Sequence, residues 1–224
     1  MSLDAEPRTL RFGTREVSAL WTKPSDTTTL GCFVYAPGAG SGLNDPFGAY
    51  LAERLAADGT SCLRFQFPYA ESGQRRPDPP AVLEATWRAA IDASTKDGSV
   101  PVCGGRSMGG RYASMVASKG AALSGLALFA YPLHPPASPD QRRDAHLPRI
   151  TVPTLFCSGT RDTFATPDEL TEAAELVPGS TVHLLDGADH GFQTLKGSGR
   201  SREDVWREAV DALIAWWATL PQPL

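Results

Sequence analysis

Short apolar runs alternate with amphipathic stretches along most of this chain, and that alternation limits its fold more than any other feature. Residues 31–35, 61–65, 100–103, 125–130, 154–158 and 181–185 are apolar runs bounded by glycine, proline or polar residues. Runs of that length between breakers suit buried strands. Helical stripes lie between them. Phe47, Tyr50, Leu51 and Leu55 fall on one face after Pro46, with Asn44 or Asp45 available as the cap. Leu83, Trp87, Ala90 and Ile91 mark a second helix, and residues 107–117 a third. Thr166-Pro167-Asp168-Glu169 has capping-box spacing. Ser201-Arg202-Glu203-Asp204 opens the last helix, where Val205, Trp206, Ala209, Val210, Leu213, Ile214 and Trp217 form a broad apolar stripe. A strand–helix series of this kind predicts an α/β fold: a mostly parallel, doubly wound sheet flanked by helices. Two segments near the start, residues 10–12 and 17–21, predict a hairpin ahead of it.

No internal repeat or composition break divides the chain, so residues 1–224 are expected to form a single domain. The proline-rich stretches 66–80 and 132–148 are too short for interdomain linkers and are expected to shape a pocket rim. No large insertion separates residue 130 from residue 154, which predicts a minimal lid or none.

Composition narrows the function. At 42% hydrophobic and 21% charged residues the chain is globular in type. A net charge of −4 argues against a general nucleic-acid binder. The apolar runs are too short to cross a membrane, and residues 1–15 contain no apolar leader segment. Cys32, Cys62, Cys103 and Cys157 each sit within a short apolar run, with no Cys-x-x-Cys spacing. Neither zinc nor a thioredoxin-like pair is expected; reduced thiols in a cytoplasmic protein are.

The strongest local signal is Gly104-Gly105-Arg106-Ser107-Met108-Gly109-Gly110, which places Gly-x-Ser-x-Gly between an expected strand and an expected helix. A sharp turn there would raise the Ser107 hydroxyl above the sheet edge, with glycine needed at 105 and 109 to avoid collision. A serine hydroxyl is a weak nucleophile without a base, and the base needs an orienting acid. His190, after the last strand, is the expected base. Asp162, after the strand at 154–158, is the expected acid; Asp186 and Asp189 are its rivals. The order Ser107, Asp162, His190 puts each group after the C-terminal end of a strand, where parallel sheets carry their sites. The backbone N–H of Met108 and that of Ala39 or Gly40, in Pro37-Gly38-Ala39-Gly40-Ser41-Gly42, are the expected donors to a tetrahedral oxyanion. Arg106 and Arg111 could bind a substrate carboxylate or phosphate, or tie loops together through ion pairs. Tyr69, Arg106, Tyr131 and His134 are the expected pocket residues. His183 reads as a strand residue.

The chain resembles the α/β-hydrolase superfamily, in its dienelactone-hydrolase-like branch. More narrowly, it resembles small hydrolases related to the hydrolase-like domain of a non-specific-lethal chromatin complex subunit. Residues 36–41, Phe67-Pro68-Tyr69, residues 104–111, residues 131–136, Gly159-Thr160-Arg161-Asp162 and Asp189-His190-Gly191 carry the likeness. It implies a Ser107–Asp162–His190 triad, an oxyanion loop near Ala39, and no metal or organic cofactor. Dienelactone hydrolases proper have cysteine where this chain has Ser107. The implied activity is a serine hydrolase acting on small ester, thioester or related acyl substrates. A catalytically silent hydrolase fold kept for binding is the alternative. No sequence feature sets the oligomeric state.

Overall fold

The structure, a computed structural model, describes residues 5–25, 31–95 and 100–221. Residues 1–4 of the segment inspected for a leader lie outside the described residues. Among those described, eight strands form one sheet in the order β1-β2-β4-β3-β5-β6-β7-β8. They are β1 (Glu6–Phe12), β2 (Arg15–Thr22), β3 (Cys32–Ala36), β4 (Ser61–Phe65), β5 (Val102–Arg106), β6 (Gly125–Phe129), β7 (Thr154–Gly159) and β8 (Thr181–Leu185). The helices are α1 (Pro46–Ala57), α2 (Pro68–Glu71), α3 (Pro80–Ser94), α4 (Met108–Ala117), α5 (Pro167–Glu175) and α6 (Arg202–Trp217).

The expected hairpin is β1–β2, and β2 continues antiparallel onto β4. From β4 across to β8 every pairing is parallel. The helices cover both faces. Leu51 and Leu55 of α1 pack with Val205, Ala209 and Leu213 of α6 on one side. Trp87 of α3, Val116 of α4 and Leu170 of α5 share the core on the other. Fully burying a side chain of this size stabilises the fold by roughly 1.5–3 kcal/mol. The sheet is therefore doubly wound and mostly parallel, and its six parallel C-terminal strand ends face one edge.

Local chemistry explains the boundaries. Asp45, not Asn44, caps α1: its carboxylate accepts the Gly48 N–H at 3.0 Å. Capping boxes at Thr166 and Ser201 start α5 and α6. β5 starts two residues later and ends three residues later than its apolar run suggests. Gly104 and Gly105 pair with β3 on one side and β6 on the other, and a Cβ on Gly104 would lie 2.3 Å from the Ala127 carbonyl oxygen. The ladder needs glycine there, although glycine is a poor strand former in isolation. The stretch 66–80 is not wholly a loop, since α2 forms within it. Residues 130–153 hold only one short 3-10 turn, Leu147–Arg149, and no lid.

Candidate active site

Ser107 sits between β5 and α4 at φ 51° and ψ −117°, a backbone conformation that costs a non-glycine residue energy. Its neighbours make that turn possible. A Cβ on Gly105 would come within 2.3 Å of the Ala36 oxygen, and one on Gly109 within 2.2 Å of the same atom. The chain can pass so close to β3 only where both residues lack side chains. Trp87 Nε1 donates to the Gly109 carbonyl at 3.1 Å and pins the start of α4 from beneath.

His190 Nε2 lies 2.9 Å from Ser107 Oγ. Its Nδ1 lies 3.0 and 2.9 Å from the two oxygens of Asp162. The Asp162 side chain is fully buried and accepts two further hydrogen bonds, from Ser158 Oγ at 3.0 Å and the Phe164 N–H at 2.8 Å. Donors on several sides fix its carboxylate, which orients the imidazole with its proton on Nδ1 and leaves Nε2 to accept from serine. The ring of Phe164 stacks on His190, with centroids 4.0 Å apart at 26°.

Strand-end packing brings Asp162 and His190 together. A Cβ on Gly159 would fall 2.1 Å from the Ala188 oxygen. The Arg161 N–H donates to that oxygen at 2.9 Å, and the Gly187 N–H donates to Thr160 Oγ1 at 2.9 Å. The loops after β7 and β8 are thus stitched into one unit. Of the rival acids, Asp189 holds its own loop, accepting from the N–H groups of Gly191 and Gln193. Asp186 lends its carbonyl to Arg200 and makes no contact with His190.

Two backbone N–H groups are free near Ser107. Met108 opens α4, so no carbonyl a turn earlier receives its N–H. Ala39 is exposed, lines the cleft, and donates to no group among the described residues. Gly40 does not share this freedom, because its N–H donates to Tyr69 Oη at 3.1 Å. Of the two alternatives the sequence leaves open, Ala39 is thus the one with an uncommitted N–H.

The cleft above Ser107 has a volume of about 380 Å³ and is lined by Gly38, Ala39, Arg106, Met108, Arg111, Pro132, Arg143, Phe164 and His190. Of the four expected pocket residues only Arg106 lines it. Tyr69, Tyr131 and His134 are buried instead. Each braces a loop: Tyr69 holds Gly40, Tyr131 Oη donates to the Arg143 carbonyl at 2.6 Å, and His134 Nε2 lies 3.3 Å from Glu169. The stretch 66–80 supplies no lining residue, contrary to expectation; the loop after β7 supplies Phe164. Arg106 is also paired, with Nη2 3.6 Å from Asp45. Neither Arg143 nor Phe164 belongs to a motif: Arg143 lies within the stretch 132–148 expected at the pocket rim, and Phe164 lies two residues after Asp162.

A larger groove of about 690 Å³ lies between β8 and α6. There Glu208 pairs with both His183 and Arg200, and Arg207 with Asp204. The four cysteines are free, and burial pushes their thiols up, Cys32 to about 12. Among the described residues no cluster of three or more His, Cys, Asp or Glu could hold a metal ion. No helix of those residues is long and apolar enough to cross a membrane.

Solved structures share this architecture. The esterase domain from a Rhodothermus marinus protein is 16% identical with a TM-score of 0.73, over 97% of this chain and 99% of that one. Est1E from Butyrivibrio proteoclasticus is 12% identical with a TM-score of 0.76, over 95% and 99%. Dienelactone hydrolase from Anabaena variabilis is 19% identical with a TM-score of 0.73, over 96% and 99%. At such identities these likenesses speak to the fold. The sequence profile of the alpha/beta hydrolase domain family matches residues 30–218, which contain all six parallel strands and the six α-helices of the described residues, and the chain belongs to that family.

Proposed function

We propose that this protein is a serine hydrolase that cleaves small esters, thioesters or related acyl compounds through an acyl-enzyme. The observation that carries the proposal is the continuous hydrogen-bonded line from Ser107 Oγ through His190 to buried Asp162. Ser107 Oγ attacks the carbonyl carbon as His190 Nε2 takes the hydroxyl proton. Asp162 stabilises the imidazolium without taking the proton itself. The N–H groups of Met108 and Ala39 receive the oxyanion, helped by the N-terminus of α4. Collapse breaks the bond to the leaving group, which takes the proton from Nε2. Water then attacks the acyl-enzyme with His190 as base, and Ser107 regains its proton.

A cleft of about 380 Å³ with no lid suits a small substrate. The esterases and the dienelactone hydrolase of the same fold support this class. The narrower kinship we propose, with hydrolases related to the non-specific-lethal complex subunit, rests on the same six segments, of which the octet at residues 104–111 is the most specific. Four free thiols accord with a cytoplasmic setting.

Labelling with a fluorophosphonate probe tests the reading. Wild-type protein is expected to label and Ser107→Ala to stay unlabelled at equal fold, as judged by circular dichroism. Folded wild-type protein that does not label would overturn it and favour a silent binding fold.

A further inference from the structure

Three guanidinium groups line the cleft around Ser107, and no carboxylate lines it. Arg106 has a counterion in Asp45. Arg111 and Arg143 form no ion pair among the described residues. The acids closest by are committed elsewhere: Asp45 also accepts from Tyr35 and Gly48, Asp144 pairs with Arg142, and Asp162 holds His190. Nε of Arg111 is buried with no hydrogen-bond partner. A protein of net charge −4 thus surrounds its candidate nucleophile with uncompensated positive charge. Two like charges facing one cleft repel, and the Arg143 guanidinium is held below its ordinary range by burial first and by Arg111 second.

The arrangement is braced. The Arg143 N–H donates to the Leu133 carbonyl at 2.7 Å, and its own carbonyl accepts from Tyr131 Oη at 2.6 Å. Its Nη1 donates to the Pro132 carbonyl at 3.2 Å. One segment, residues 131–143, is therefore folded back on itself so that Arg143 lines the wall of the cleft. Arg111 stands on α4, one turn after Ser107, with its guanidinium 5.4 Å from the Tyr112 ring centroid. Planar guanidinium forks match the oxygens of carboxylate and phosphate groups.

We propose that the substrate carries its own oxyanion group, a carboxylate or phosphate close to the scissile carbonyl, and that this group seats on Arg111 and Arg143. The covalent part rests on the serine-hydrolase reading; the anion site does not. The anionic group stays intact throughout. Only the acyl bond breaks, with the proton transfers already described.

The test compares kcat/KM for 4-nitrophenyl hemiglutarate and 4-nitrophenyl valerate, chains of equal length that differ in the terminal carboxylate, after subtracting spontaneous hydrolysis. The charged ester is expected to be preferred by about tenfold or more, the scale of one charge-assisted hydrogen bond. Arg143→Gln, or Arg111→Gln where it folds, is expected to lower that ratio to about threefold or less. Calorimetry on Ser107→Ala with glutarate and with inorganic phosphate separates the two anion types. Saturable binding of either, weakened in the Ser107→Ala/Arg143→Gln protein, supports the proposal. Equal or reversed ester preference in protein that labels with fluorophosphonate overturns it. If labelling fails, the hydrolase reading falls, and calorimetry alone decides: no binding of either anion overturns the oxyanion site.

Discussion

The Tyr69 hydroxyl accepts the N–H of Gly40 at 3.1 Å, across 29 residues of sequence. This bond commits the Gly40 N–H and leaves that of Ala39, which lines the cleft, as the proposed oxyanion donor of this loop. On the proposed mechanism Tyr69 is thereby a positioning residue. Tyr69→Phe removes one hydrogen bond, a change of roughly 0.5–1.5 kcal/mol, so a loss of about threefold to tenfold in kcat is expected. KM for a nitrophenyl ester should move less than kcat. Pre-steady-state acylation checks this; a wild-type acylation rate in Tyr69→Phe would show that the bond does not hold the loop.

Asp162 is the acid that touches His190, and Asp186 is not. Asp162→Asn should favour the wrong imidazole tautomer. In the serine-protease triad the same change of acid to amide lowers kcat by a factor on the order of 10⁴, and a loss of several orders of magnitude is expected here. Asp186→Asn should leave kcat near wild type. Steady-state kinetics on both proteins decide the matter, and the reverse ranking would move the acid to Asp186.

Gly105 and Gly109 are expected to resist even alanine. A Cβ at either meets the Ala36 backbone oxygen, at 2.3 and 2.2 Å respectively, and backbone cannot swing aside as a side chain can. Gly105→Ala should cost about 1–3 kcal/mol or more, as overpacking does, read as a fall in the urea midpoint. Gly179→Ala is a useful contrast: its added Cβ meets nothing within 4 Å, so only backbone strain at φ 72° remains. Similar midpoints for the two variants would contradict the crowding at the turn.

His146 predicts an acid-side loss of stability. Burial first, then the charges of Arg111 and Arg149, lower its pKa to about 4, against the attraction of Asp144. Its Nε2 lies 2.7 Å from Ser114 Oγ. The unfolded chain takes up this proton more readily, so stability is full above about pH 6.5 and falls as pH drops toward 4. The full shift is worth about 3 kcal/mol at pH 4, and solvent screening of the part-exposed ring brings the expected loss to roughly 2 kcal/mol. Urea midpoints between pH 7 and pH 4, for wild type and His146→Gln, measure it; equal slopes in the two proteins would contradict the assignment.

The candidate nucleophile, base and acid were legible because each depends on local chain chemistry. Gly-x-Ser-x-Gly declares a tight turn, and Asp162 and His190 each follow a short apolar run. Strand and helix order was legible for the same reason, since burial on both faces writes continuous apolar strands and 3.6-residue stripes. β5 was misplaced because its glycines are demanded by Ala36 and Ala127 rather than by any local preference. The aromatic and histidine candidates for the pocket were misassigned for a related reason: Tyr69, Tyr131 and His134 occur beside motif residues but point into the protein to brace loops.

The sequence by itself determined the alternation of elements, the sharp turn at Ser107 and the chain order of the three candidate catalytic groups, because these follow from nearest neighbours and periodicity. Only the tertiary structure decided which groups meet. Ser107 and His190 are 83 residues apart in sequence and 2.9 Å apart in space. Arg143 reaches the same cleft from a proline-rich loop without any motif of its own. Such meetings depend on strand order and on the packing of loops at one edge of the sheet, and a one-dimensional pattern carries neither.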